Sequence, residues 1–445
     1  MRLILVGWYL IKNLILGIDG GCFEGIESLL QKNSLPNFKK LIKDGVSAKL
    51  KVTIPPVTIP SWPCLFSGLT PEQLGYYFFD HPKKGLFSSK QWQDQSIFSI
   101  PKIRQFVLNV PGTYPAWKIN GEMITGMMSP KLSCFPSELN SFIRDDWIID
   151  GETVSEIFRA FEIKKRLFLR KLREDFDLMS YVIRMPDVLS HHTHLSTDMV
   201  NSYISLGYKK IDDFLGEILA NNSFDNLFIF SDHGLKFYGH EFNLRRWLEK
   251  NKILYINKAK GRKFFTLITK IYDNFRPFIK IDYRKYHFLK TTILKNIIDD
   301  SISIQDKVND TSVVNFLSNV GGLFLKGIDK NKNKMIIESL KMDRRVKEVE
   351  SMDIEGFPDL FIILKEKYIF NHQSSLFVTR RRNSINHSQF GFFIAYGKNI
   401  RSNQLKRVNY IDIAPTIIKL FGIDKMDFMK GNPLNIYKKN YNNFD

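Results

Sequence analysis

Residues 13–21 read Asn13-Leu14-Ile15-Leu16-Gly17-Ile18-Asp19-Gly20-Gly21. The run is apolar at consecutive positions and stops at an acid followed by two glycines. A strand with one wet face alternates, so unbroken apolarity points to a strand buried on both faces, as in the middle of a parallel sheet. Two further stretches repeat the pattern. Residues 179–185 form an apolar strand running into Pro186-Asp187, and residues 227–230 form one running into Ser231-Asp232-His233-Gly234. Helical spacing falls between the strands: at 36–43, stopped by Gly45; at 152–173, with Ile157, Phe161, Leu167 and Leu172 on one side; and at 198–219. A strand at 390–395 and a helix at 411–421, closed by Gly422, continue the alternation. The expected fold is α/β, a mostly parallel central sheet flanked by helices, with a helical or irregular insertion. We expect one catalytic domain from residues 13–245 and 316–436. A basic insertion at 246–315, a candidate cap or lid, interrupts it, and a tail at 437–445 follows.

The chain has 445 residues, 44 % hydrophobic and 25 % charged, which excludes wholesale disorder and leaves ample chain for a large core. Three cysteines (Cys22, Cys64 and Cys134) make no disulfide framework and fit a reducing compartment. No run reaches the roughly 20 apolar residues that span a bilayer as a helix. The nearest, residues 3–11, is short and leads directly into the strand at 13 with no small-residue cleavage site between. We therefore expect a soluble, cytoplasmic protein.

The net charge of +19 is the unusual quantity. Such a balance suits nucleic acid, an anionic membrane or a phosphorylated substrate. Residues 251–300 hold twelve Lys+Arg against four Asp+Glu. Phe264, Phe265, Phe275, Phe278 and Phe288 interleave with those charges, a composition compatible with peripheral membrane contact. Helix 152–173 and residues 380–382 add basic faces. The plainer reading is a set of solvated surfaces. No aromatic-basic nucleic-acid module of known pattern is present, so nucleic acid is not the expected partner.

Each of the three buried strands ends in an acid: Asp19, Asp187 and Asp232. Ligands of open α/β sheets bind at the carboxyl ends of strands. Three carboxylates converging there repel one another and are costly to bury unpaired, and a divalent cation resolves both problems. His191 follows Asp187 by four residues, on the same side of a helical turn, and His233 follows Asp232 directly. Carboxylate with imidazole suits Zn²⁺, with Mn²⁺ a poorer second. The competing reading makes each acid a helix N-cap. It suits one acid after a strand better than three, two of which carry histidines. His192 and His194 are read as polar surface or supporting groups beside His191.

The segment Pro55-Pro56-Val57-Thr58-Ile59-Pro60-Ser61-Trp62 is the second unusual feature. Prolines on both sides fix the backbone around Thr58, and an apolar helix at 61–67 would aim free N–H groups at an anion. Thr58 reads either as a plain N-cap or, beside a metal, as a nucleophile.

Taken in order, these segments resemble the alkaline phosphatase superfamily, and its type I phosphodiesterase/nucleotide pyrophosphatase branch in particular. Gly17-Ile18-Asp19-Gly20 is similar to the opening metal motif, residues 55–68 to the nucleophile segment, Asp187 through His191 to the Asp-x-x-x-His element, and residues 231–234 to Ser-Asp-His-Gly. Residues 387–397 resemble the last ligand segment. Asp412-Ile413-Ala414-Pro415-Thr416 and Gly431-Asn432-Pro433-Leu434 resemble the closing motifs. The resemblance implies two metal ions, usually zinc. Asp187, His191 and His387 would hold one. Asp19, Asp232 and His233 would hold the other, which Thr58 approaches. His387 is chosen on the resemblance alone; otherwise it reads as a loop histidine.

The implied activity is metal-dependent hydrolysis of phosphodiester or pyrophosphate bonds through a phospho-threonine. The implied substrate is a small phosphorylated molecule: a nucleotide, a sugar nucleotide or a lipid headgroup. A phosphomonoesterase or phospho-group transferase using the same site is the alternative, followed by a non-catalytic anion-binding relative. The chain departs from the family after Gly68. Leu74-Gly75 stands where a His-Gly pair is common, and the aromatic run Tyr76-Tyr77-Phe78-Phe79 follows where an Asn often binds a phosphate oxygen. That run reads as core or as a stacking surface. Cys64 lacks a following Cys-x-Pro-x-Arg pattern, which disfavours a sulfatase.

Overall fold

The computed structural model describes residues 12–81, 83–143, 147–192, 195–221, 224–251, 306–308, 311–316, 318–325, 330–370 and 378–438. The chain divides into two compact units, Met1–Phe237 with Asn383–Asp445, and Tyr238–Arg382.

The first unit is built on a nine-stranded sheet. Its strands are β1 (Asn13–Ile18), β2 (Val46–Lys51), β3 (Gln105–Leu108), β4 (Gly121–Ile124), β5 (Cys134–Phe135), β6 (Leu178–Ile183), β7 (Asn226–Phe230), β8 (Phe390–Gly397) and β9 (Asn403–Asn409). Their spatial order is β9-β2-β8-β7-β1-β6-β3-β4-β5. The five consecutive strands β7, β1, β6, β3 and β4 are mutually parallel. β8 runs antiparallel to both its neighbours. This is the mostly parallel α/β sheet that the residue 13–21 stretch predicts.

Both faces of β1 are dry. Leu14, Leu16 and Ile18 enter one core, together with α1 (Phe23–Gln31), α2 (Pro36–Asp44), α4 (Val154–Lys171) and α6 (Thr197–Asn221), while Ile15 enters the other with Trp62, Leu65 and Phe66 of α3 (Thr58–Ser67). α5 (Asp187–Ser190) follows β6, and α7 (Ile413–Lys419) packs on α3. α4 starts at a reciprocal capping box between Thr153 and Glu156. Its basic residues do not all face water. Lys164 and Lys171 are buried, and Lys165 pairs with Glu162 and Glu217. Burial pushes the Lys164 ammonium down to about 8.

The second unit carries a five-stranded, wholly antiparallel sheet with the order Asp306–Val308, Thr311–Asn315, Val320–Leu325, Leu360–Leu364, Val346–Ser351. Helix Lys330–Met342 buries Ile336 and Leu340 against Leu323, Leu325 and Ile362. This compact unit is wider than the 246–315 insertion set out above, and takes in residues 316–382. Apolar runs such as Val320–Leu325 mark buried strands, but local apolarity does not say which strand will be the partner. Residues 252–305, with the interleaved phenylalanines, lie outside the described residues, as do residues 3–11, His194 and the tail from 439. No helix among the described residues is long and apolar enough to cross a membrane.

Candidate active site

The register of the central strands sets the site. Ile18 pairs with Ile183 and Gly17 with Phe230, so β1, β6 and β7 end level. The residues that follow, Asp19, Arg184 and Ser231-Asp232-His233, emerge together at the carboxyl edge. Backbone bonds lock the turn: the Asp19 amide donates to the Ile183 carbonyl (2.9 Å) and the Asp187 amide to the Asp19 carbonyl (3.1 Å). Gly20 adopts φ +74°, and a Cβ there would lie 3.1 Å from that of Asp187, so the approach of these two segments needs glycine. The Gly20 amide donates to Asp232 Oδ1 at 3.2 Å.

Asp187 occupies the centre. His191 Nε2 and His387 Nε2 each lie 3.2 Å from its Oδ1, and His233 Nε2 lies 4.0 Å away. His233 Nε2 is also 3.5 Å from Asp19 Oδ1 and 3.4 Å from Asp232 Oδ2. The rings of His233 and His387 stack at 3.8 Å. Two groups have ligand atoms close enough to share an ion: Asp187, His191 and His387; and Asp19, Asp187 and His233. The first is the trio expected from the sequence. In the second, Asp187 stands where Asp232 was expected, so Asp187 is common to both groups. His192 instead holds backbone carbonyls, at Val188 (3.0 Å) and Glu152 (3.1 Å).

His387 lies in strand Val378–Ser388, and its Nδ1–H donates to the Pro56 carbonyl at 3.0 Å. His233 Nδ1 likewise faces the Gly234 carbonyl at 3.2 Å. Burial, followed by the neighbouring His387, pushes the His233 imidazole well below its ordinary value, so His233 is neutral. With its proton on Nδ1, its Nε2 lone pair faces carboxylate oxygens directly. Among the described residues, no hydrogen-bond partner meets His233 Nε2, Asp19 Oδ1 or Asp232 Oδ2, all buried. Carboxyl oxygens and an imidazole nitrogen packed together out of water call for a proton or a metal cation between them. The oxygen and nitrogen donor set therefore fits divalent metal.

The acids differ in state. Burial, then the charge of Asp187 working against Arg184, holds Asp19 up to about 7. Burial, then Asp19 and Asp187, raises Asp232 well above its ordinary value. For Asp187 burial works upward, but His191 and His387 outweigh it and keep the carboxyl well below the usual range. The same Asp187 charge raises His191, which is half exposed.

Thr58 opens α3 and is buried; Val57, with no side-chain cap bond, is the N-cap. The reading of Thr58 as the capping residue therefore does not hold. Contacts on either side tie its segment to the acid-histidine cluster. Pro56 O receives His387 Nδ1, and Trp62 Nε1–H donates to Asp19 Oδ2 at 3.3 Å. Tyr76, Tyr77 and Phe78 are buried and belong to the core. Arg184 and Asp150 were not singled out from sequence. Arg184 contacts Asp19 through Nη1, Asp187 Oδ2 at 3.8 Å through Nη2 and Asp150 Oδ1 at 3.3 Å through Nε. Burial opposes its charge, but Asp19, Asp150 and Asp187 raise its pKa further. The available signal was one charged residue inside the apolar run 179–185.

An α/β sheet whose strand ends gather carboxylates and imidazoles able to hold metal ions is consistent with the alkaline phosphatase superfamily. The model of the type I phosphodiesterase / nucleotide pyrophosphatase family matches residues 13–375, and the chain belongs to that family as a phosphohydrolase. Solved structures share the fold. Murine ectonucleotide pyrophosphatase/phosphodiesterase 5, as an inactive variant in complex with AMP, is 12% identical with a TM-score of 0.58, covering 96% of this chain and 100% of that one. A second structure of the murine protein is 13% identical (TM-score 0.57, 96% and 100%). The human counterpart is 14% identical (TM-score 0.53, 95% and 97%). No curated protein matches the chain significantly in sequence.

Proposed function

We propose that the chain hydrolyses phosphodiester or pyrophosphate bonds of a small phosphorylated substrate, with Thr58 as nucleophile and two divalent ions, zinc foremost, as cofactors. The observation that carries this reading is the buried meeting of His233 Nε2 with Asp19 Oδ1 and Asp232 Oδ2 at 3.4–3.5 Å. Asp187, His191 and His387 would hold one ion. Asp19, Asp232 and His233 would hold the other, with Asp187 within reach of both. Bound there, the ions would neutralise charge on the attacking and leaving oxygens and ease deprotonation of a nearby hydroxyl.

The residues of the chain do the rest. Thr58 Oγ gives up its proton, bonds to phosphorus and forms a phospho-threonine as the leaving oxygen departs. Water then attacks the phosphorus, releasing the phosphomonoester that keeps the remaining ester group and returning the hydroxyl to Thr58. The Pro56 carbonyl keeps the His387 proton on Nδ1, and Trp62 steadies Asp19. The AMP held by the murine neighbour supports a nucleotide-like substrate. Three buried thiols, none in a disulfide, support a cytoplasmic location.

Zinc analysis of the purified protein with turnover of bis-p-nitrophenyl phosphate tests the reading. We expect bound zinc and diester turnover, both retained on folding, and loss of turnover but not of zinc in Thr58→Ala. A variant with unchanged turnover would remove Thr58 from the mechanism. Faster turnover of the mono-ester than of the bis-ester would replace the diesterase with a phosphomonoesterase.

A further inference from the structure

We propose that Arg184 is a positioning residue that sorts the carboxylate oxygens of Asp19 and Asp187, turning one oxygen of each toward the histidines. The inference rests on the metal-dependent reading above. The sorting is visible atom by atom. Arg184 Nη1 takes Asp19 Oδ2, and Nη2 lies 3.8 Å from Asp187 Oδ2. The other oxygen of each acid faces the imidazoles: Asp19 Oδ1 is 3.5 Å from His233 Nε2, and Asp187 Oδ1 is 3.2 Å from both His191 Nε2 and His387 Nε2. One planar group thus fixes two carboxylates at once.

The fork is itself held. The Arg184 side chain is nine-tenths buried, and Asp150 Oδ1 receives its Nε–H at 3.3 Å. Trp62 Nε1–H reinforces the sorting from the other side by donating to the same Asp19 Oδ2. A carboxylate rotates readily about its last bond, and groups behind metal ligands set both their orientation and their affinity. Guanidinium suits the task because it stays charged and presents parallel donors; an ammonium offers a point charge without the fork.

Geometry and charge make opposite predictions, which makes the proposal testable. If Arg184 positions the acids, removing it weakens metal binding. If its charge merely balances the acids, removing it leaves more negative potential and strengthens metal binding. The experiment titrates metal-stripped, full-length protein with Zn²⁺ against a chromophoric chelator, for wild type, Arg184→Gln, Arg184→Lys and Asp150→Asn, with circular dichroism on each.

We expect Arg184→Gln and Arg184→Lys to lose affinity for at least one ion by about 10- to 100-fold. Asp150→Asn should lose less, in the same direction, with the fold retained. Unchanged or tighter zinc binding in Arg184→Gln overturns the proposal, as does full recovery in Arg184→Lys. If Arg184→Gln does not fold, Asp150→Asn decides: zinc binding as tight as in wild type overturns the proposal. A wild-type protein that binds no zinc sinks the metal-dependent reading itself, an outcome distinct from any difference among the variants.

Discussion

Asp19 is the residue at which pH should be felt first. Its carboxyl has an ordinary value of 3.8 and is held up to about 7, so between those limits the folded, metal-free chain keeps a proton that the unfolded chain has lost. Stability therefore falls as pH rises through that window. Asp232, also raised, acts in the same sense. Asp187 is lowered, so its contribution disappears only as pH falls below the ordinary carboxylate range. His233 opposes Asp19 up to its ordinary 6.5, because it folds in the neutral form. The metal-free protein should melt at progressively lower temperature from pH 5 to pH 7.5, and less steeply in Asp19→Asn. Equal slopes by calorimetry would show that Asp19 does not carry the effect. The three acids were legible because each directly follows an apolar run, and adjacency in sequence survives folding. Arg184 was not, because its role depends on Asp19 and Asp150, far away along the chain. His387 was legible only through resemblance, since the strand that carries it is mostly polar.

Helix α3 shows how an element transmits order to the site. Trp62 lies against Gly17 of β1: a Cβ at Gly17 would stand 2.4 Å from the Trp62 ring and 2.8 Å from Val182. Gly17→Ala should force that helix off the sheet, costing about 1–3 kcal/mol in chemical denaturation and weakening the Trp62 hold on Asp19. No loss of stability would mean that α3 can shift freely. At the far side of the sheet, Thr153→Ala should cost about 1 kcal/mol by removing the α4 capping box, with turnover unchanged. The long apolar strands and amphipathic helices were readable because their periodicity is local. β2, β3, β4, β5, β9 and the antiparallel placement of β8 were not read. β3 is four residues long, β2 breaks its apolar run with exposed Lys49 and Lys51, and the direction of β8 is decided by neighbours distant in sequence.

For the whole molecule, the chain carries a net charge of +19 although its site gathers acids. If that charge guides an anionic substrate, its effect is screened by salt, because the Debye length shrinks from about 10 Å at 0.1 M to about 3 Å at 1 M. We expect kcat/KM for an anionic diester to fall several-fold across that range; a flat profile would mark the lysines and arginines as solvated surface. The second unit was the least legible part. Its antiparallel sheet pairs strands that look individually like those of the first unit, so composition alone could not separate them.

The His387 contact has a further consequence, one of timing. His387 and the Pro56 carbonyl that orients it are 331 residues apart. At about 5–20 residues per second, a ribosome needs on the order of a minute or less to make that interval. Once Asp232 has been made, the nascent chain carries its acids and Thr58 without the last histidine. On the proposed reading, a chain cut short before His387 lacks a ligand of one ion and should be inactive.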